Sequence, residues 1–135
     1  MIRHVNKRTI LVINRMCWRE TGGLRPVGQN NLRQGCDLGF VDAISTNSLF
    51  GEKLYPSVYH KSGAYLYYIT NRHIFHDGNK RTGLAVALTF LTWNGFNLRR
   101  LPPEDTYQFV IDIASNQAPT ERVIDEAADW LETLT

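Results

Sequence analysis

The stretch TGLAVALTFLTW, Thr82 to Trp93, carries no charged side chain. A helix that is apolar all round has to be covered on most of its sides. Asp77-Gly78-Asn79 supplies strong turn chemistry just before it, and Asn94-Gly95 supplies a left-handed stop just after it. The stretch therefore reads as a helix at the centre of a core. The rest of the chain must be able to surround it.

The surrounding segments have helical periodicity. Residues 9–20 place Leu11, Ile13, Met16 and Cys17 on one face, and Gly22-Gly23 ends that segment. Residues 21–36 are rich in glycine and asparagine and read as a loop. Asp37 is placed to cap a short helix carrying Phe40, Val41 and Ile44 on one face. Residues 46–55, TNSLFGEKLY, have neither period nor strong apolar content, and suit a short hairpin or exposed flap turning at Gly51. Pro56 fits the first position of the next helix, which runs to about Arg72. Gly63 inside it costs about 1 kcal/mol relative to alanine. Pro102-Pro103 and Pro119-Thr120 open two further helices. Tyr107, Val110, Ile111 and Ala114 align on the first of these. Val123, Ala127, Trp130 or Leu131, and Leu134 align on the second. Nothing alternates for long enough to demand a sheet. The expected fold is an all-α bundle around the helix at 80–93.

Length and composition narrow the function classes. The chain has 135 residues, enough for a single domain with its own core. A net charge of +2 gives no general nucleic-acid signature. The first eight residues, MIRHVNKR, are basic and read as a loose, solvated arm. Only four apolar residues follow them, too few for a signal sequence, and no stretch has the length of a membrane span. Cys17 and Cys36 lack a partner pattern and read as reduced thiols of a cytoplasmic protein.

The polar cluster lies at the mouth of the central helix, in HIFHDGNKRTGL at 73–84. First-turn N–H groups and the helix dipole together make an anion site. Gly78 lets backbone approach a ligand, and Lys80 and Arg81 add two positive charges; an arginine can grip a phosphate bidentately. Asp77 beside such a site suits Mg²⁺, which takes one or two carboxylates plus substrate phosphates. His73 is suited to accept a proton from an attacking hydroxyl. Phe75 points to the core. A DGN turn with flanking cations is by itself an ordinary solvated helix cap. His73 and His76 have HxxH spacing without a third ligand, which disfavours zinc. The GxxxxGK[ST] spacing of a P-loop is absent. The whole string together favours a phosphate-handling site.

That string, His73-x-Phe75-x-Asp77-Gly78-Asn79-Lys80-Arg81, resembles the motif of the Fic/Doc superfamily. The Fic branch is written HxFx[DE]GNGRxxR and the Doc (death on curing) branch HxFxDxNKRT. Asn79-Lys80-Arg81-Thr82 follow the Doc form, and Leu84 stands where the Fic form keeps a second arginine. TGGLRP at 21–26, LFGEKLYPS at 49–57 and FLTWNGF at 90–96 also resemble Doc-like pieces in the same order. Gly78 is Fic-like, since some Doc proteins carry alanine there.

The resemblance implies a compact helical domain over 1–135 that transfers part of a nucleoside triphosphate to a protein hydroxyl. His73 would be the general base, and Asp77 the Mg²⁺ ligand. Gly78, Asn79, Lys80 and Arg81 would cradle the phosphates of ATP. Leu49, Phe50, Gly51, Glu52 and Lys53 would form a flap that docks the target's main chain by strand addition. Lys80, in place of a glycine, and the missing second arginine favour transfer of the terminal phosphoryl group over AMP. The similarity further implies a toxin of a toxin–antitoxin system, with translation elongation factor Tu as the target. A cognate antitoxin would restrain it through a segment that folds on the toxin. AMP transfer on the same site, and a non-catalytic partner-binding module, are the alternatives.

Overall fold

The computed structural model describes residues 1–20, 29–48 and 52–135. Six α-helices lie within them: α1 Lys7–Glu20, α2 Phe40–Thr46, α3 Val58–Thr70, α4 Asn79–Trp93, α5 Pro103–Ser115 and α6 Thr120–Thr133. No strand forms among the described residues. An isolated antiparallel bridge joins Leu32 to Phe75. None of the helices is long and apolar enough to cross a membrane. The all-α expectation matches this architecture.

The deepest helix is α3 rather than α4. Every residue of α3 from Lys61 to Tyr67 is buried, with Ile69 and Thr70 beyond them. On α4 burial follows one side, Thr82, Gly83, Val86, Ala87, Phe90 and Leu91. Its opposite side is less covered, and Trp93 is 36% exposed. Absence of charge therefore exaggerated how enclosed α4 is. The polar groups of α3 hid its depth, because each is bonded internally as burial requires. Ser62 donates to the Ala87 carbonyl at 2.9 Å and Thr70 to the Leu66 carbonyl at 2.8 Å. Gly63 has a packing reason. A Cβ there would sit 3.1 Å from the Ile124 carbonyl oxygen and 3.2 Å from the Ala127 Cβ, so glycine lets α3 lie close against α6.

Several local expectations shift. Asp37 does not cap α2; its carboxylate accepts from the Gly39 N–H at 2.7 Å, and Gly39 holds the cap position without a side-chain bond. Pro56 precedes the start of α3, where Ser57 is the cap and accepts from the His60 N–H at 3.2 Å. On α1 the inward face is Ile10, Asn14 and Cys17, while Met16 is 56% exposed. Tyr107 on α5 is 64% exposed, and Val110, Ile113 and Ala114 turn inward instead. Trp130 stacks on Phe109 with 4.1 Å between ring centroids. Asn94-Gly95 stops α4 as expected: Gly95 has φ +89°, and the N–H groups of Gly95 and Phe96 return to the Thr92 and Leu91 carbonyls. Cys17 is buried and Cys36 is half-buried.

The basic arm is pinned, contrary to the expectation of a loose one. Val5 is fully buried, and its N–H and carbonyl both bond the Tyr65 hydroxyl, at 3.0 and 2.9 Å. Burial of that phenol pushes its pKa up to about 12. The main chain of Arg3 exchanges two hydrogen bonds with the Asn94 amide, and the Arg3 guanidinium lies 4.5 Å from the Trp93 ring centroid. Next to it, His4 Nε2 accepts from the Lys61 ammonium at 2.8 Å.

This contact makes stability depend on pH. Burial, and then the Lys61 charge, hold the His4 imidazole below its ordinary value of 6.5. Below that value the unfolded chain binds a proton that the folded arm resists, so stability falls as pH falls. The melting temperature is expected to drop between pH 7 and pH 5, and to drop less in His4→Gln. Equal drops in both proteins would remove His4 as the cause.

Candidate functional site at the α3–α4 junction

The loop from 71 to 78 joins the deepest helix to α4, so both of its ends are fixed by the core. Ile74 and Phe75 are 4% and 1% exposed and anchor its middle. Asn71 ties its start to α5, donating through Nδ2 to the Ile113 and Asn116 carbonyls at 2.9 and 2.8 Å. The segment 31–33 runs alongside. Arg33 N–H donates to the Ile74 carbonyl at 2.9 Å, and His76 N–H to the Asn31 carbonyl at 3.0 Å.

His73 sits at φ +49° and exposes its ring. Its Nδ1 lies 3.1 Å from the Asn71 carbonyl oxygen. A carbonyl can only accept, so Nδ1 donates this bond, and in the neutral ring Nε2 then keeps its lone pair. That tautomer can take a proton from an incoming hydroxyl. Asp77 is half-buried, and its Oδ1 accepts from the Gly78 N–H at 2.9 Å. The Asp77 carbonyl accepts from Asn14 Nδ2 at 3.0 Å and from Asn31 Nδ2 at 3.4 Å. Asn14, buried to 2% exposure, donates to Thr82 Oγ1 at 3.0 Å as well.

Gly78 caps α4 with φ +80°, a conformation in which glycine is the least strained residue. The Asn79 side chain is used within the loop. Its amide accepts from the Phe75 N–H at 2.9 Å and donates to the Phe75 carbonyl at 2.8 Å. The side chain is thus committed to the loop, and the Asn79 backbone N–H is one of the first-turn donors of α4. Lys80 and Arg81 are exposed, and neither forms an ion pair among the described residues. Beside them a groove runs between α4 and α5, lined by Leu84, Pro103, Glu104, Tyr107 and Val110. It offers an aromatic ring and apolar walls within reach of the two cations.

The donor set suits a magnesium ion carried in with phosphates. Asp77 Oδ1 is engaged by the Gly78 N–H, so Oδ2 is the oxygen that could serve as one carboxylate ligand, with phosphates completing such a site. Among the described residues no group of three histidine, cysteine or carboxylate side chains could hold a metal by itself. Of the flap residues, Leu49, Phe50 and Gly51 lie outside the described residues, and Glu52 and Lys53 are exposed. The chain on either side is clasped by Asn47, whose Oδ1 accepts from the Tyr55 N–H at 2.6 Å and whose Nδ2 donates to the Tyr55 carbonyl at 3.0 Å.

Sequence reasoning missed Asn14, Asn31, Arg33, Asn47, Asn71 and Tyr107. An asparagine spaced four residues after Ile10 and three before Cys17 was the one readable signal, since a polar residue on an apolar face calls for a partner. Asn31, Arg33 and Asn71 work through contacts distant in the chain.

A helical bundle that gathers a histidine, a carboxylate and two cations without an ion pair among the described residues at one loop-to-helix junction is the class that fold and site define. The chain belongs to the Fic/DOC family, whose model matches residues 4–91. Among curated proteins, the "Toxin Doc" of Mycolicibacterium smegmatis (strain ATCC 700084 / mc(2)155) is 38% identical to it over 65 residues. The match covers 46% of this chain and 50% of that relative, so it spans half of the relative's length.

Proposed function

We propose that the chain is the toxin of a toxin–antitoxin system and a protein kinase that moves the terminal phosphoryl group of ATP to a protein hydroxyl. Elongation factor Tu is the proposed target. The observation that carries this reading is that His73, its Nδ1 bonded to the Asn71 carbonyl, shares one junction with Lys80 and Arg81, which form no ion pair among the described residues. The likeness to "Toxin Doc" and the lysine at position 80 support it.

In this reaction the target's hydroxyl oxygen bonds to the γ-phosphorus, and the bond from that phosphorus to the β,γ-bridging oxygen breaks. ADP leaves. His73 Nε2 takes the hydroxyl proton. Arg81, Lys80 and the first-turn N–H groups of α4 offset charge on the moving group, which is the main task in phosphoryl transfer. Magnesium, bound with ATP, supplies charge neutralisation on the phosphates, and Asp77 is the residue that holds it. The nucleoside lies in the α4–α5 groove against Tyr107 and Leu84.

The antitoxin segment has a matching surface on α1. Arg8, Arg15 and Arg19 alternate there with exposed Val12 and Met16, and the arginines form no ion pair among the described residues. An acidic amphipathic segment fits that stripe.

AMP transfer is the alternative, by likeness of Gly78 to the Fic form. The turn at φ +80° already accounts for that glycine, so it favours neither reaction. The deciding experiment uses ATP labelled at the α- or the γ-phosphate with purified elongation factor Tu. Label is expected on the protein from the γ-position only; label from the α-position only would replace phosphorylation with AMP transfer. In the same assay Arg81→Ala is expected to lose about 10²-fold or more in rate while keeping its circular dichroism spectrum. An unfolded variant would make Arg81 structural instead.

A further inference from the structure

We propose that Arg33 is a positioning residue for His73: its guanidinium locks the His73 peptide in the backbone conformation that keeps the imidazole in its proton-accepting tautomer. The proposal rests on the reading of His73 as the base. It assigns work to a residue outside the motif.

His73 has a positive φ of 49°, which strains a residue with a Cβ by about 1 kcal/mol or more. Such a conformation persists only where its surroundings over-determine it. On the upstream side the Asn71 amide is fixed to α5, so the carbonyl that meets the His73 ring has a fixed place. On the downstream side Ile74 and Phe75 are buried. The free element between them is the peptide joining His73 to Ile74. If it flips, ψ of His73 and φ of Ile74 change together, which frees φ of His73 to relax from its strained value and to carry the ring off the Asn71 carbonyl.

Arg33 opposes that flip from two sides. Its N–H holds the Ile74 carbonyl at 2.9 Å, and its Nη1 donates to the His73 carbonyl at 3.0 Å. One residue thus grips two consecutive carbonyls of the loop. Removing the guanidinium leaves the backbone bond to Ile74 in place, so Arg33→Ala isolates the side-chain contact. Arg33 is exposed, so its truncation opens no cavity and should leave the fold as it is.

The test reads the imidazole directly. Long-range proton–nitrogen NMR on ¹⁵N-histidine protein should show the wild-type His73 ring in the single form protonated at Nδ1. In Arg33→Ala both neutral tautomers should appear, with the melting temperature unchanged. In γ-labelled ATP transfer to elongation factor Tu, kcat should fall about tenfold with the KM for ATP unchanged. Arg33→Lys, which still has a donor for the carbonyl, should fall between. An Arg33→Ala protein with the wild-type tautomer overturns the proposal. A wild type that transfers nothing, while the tautomer is still lost in Arg33→Ala, upholds the positioning role and sinks the base role.

Discussion

His73→Ala is expected to lower phosphoryl transfer by about 10²–10⁴-fold, the usual worth of a positioned general base. The side chain is exposed and, among the described residues, bonds only the Asn71 carbonyl, so the variant should melt with the wild type. That combination separates chemistry from folding. The measurement is the initial rate of γ-label transfer alongside a thermal melt. Full transfer by His73→Ala would remove the base role, and full growth inhibition by it would favour the non-catalytic binding reading.

Phe75→Ala should act in the opposite way. Its ring is 1% exposed, and truncating a buried phenylalanine costs about 3–5 kcal/mol. The main chain of Phe75 is held on both sides by Asn79 and faces Leu32 across the bridge, so the loop loses its anchor together with the core. Denaturant unfolding should register the full loss. A cost below about 1 kcal/mol would mean that the ring is not part of the packed core.

The motif was legible because its parts are close in sequence. His73, Asp77, Gly78, Lys80 and Arg81 span one turn and the first turn of one helix, and turn chemistry places such residues without knowledge of the rest. What holds them was not legible. Asn14 reaches the Asp77 carbonyl across 63 positions of chain, and Arg33 reaches His73 across 40. No local period encodes such pairs. The same limit misplaced the centre of the fold. The uncharged run at 82–93 was the most conspicuous apolar segment, yet α3 lies deeper, with a buried lysine, serine and threonine whose partners come from elsewhere in the chain or from the preceding helical turn. Gly63 read as a weakness of its helix because the backbone of α6, pressed against it, is far away in sequence. Asn79 was assigned by its neighbours in the motif, while its amide is used inside the loop.

The bonds that frame the loop share one property. Asn14 and Asn31 bond the carbonyl of Asp77, Arg33 bonds that of His73, and Asn79 bonds the main chain of Phe75. The frame takes no notice of which side chains the loop displays at 73, 76 and 77. Reactive groups can therefore be exchanged on a mount that stays as it is. A lineage built on this plan is free to change what it does to its substrate through single replacements, without first solving the folding problem again.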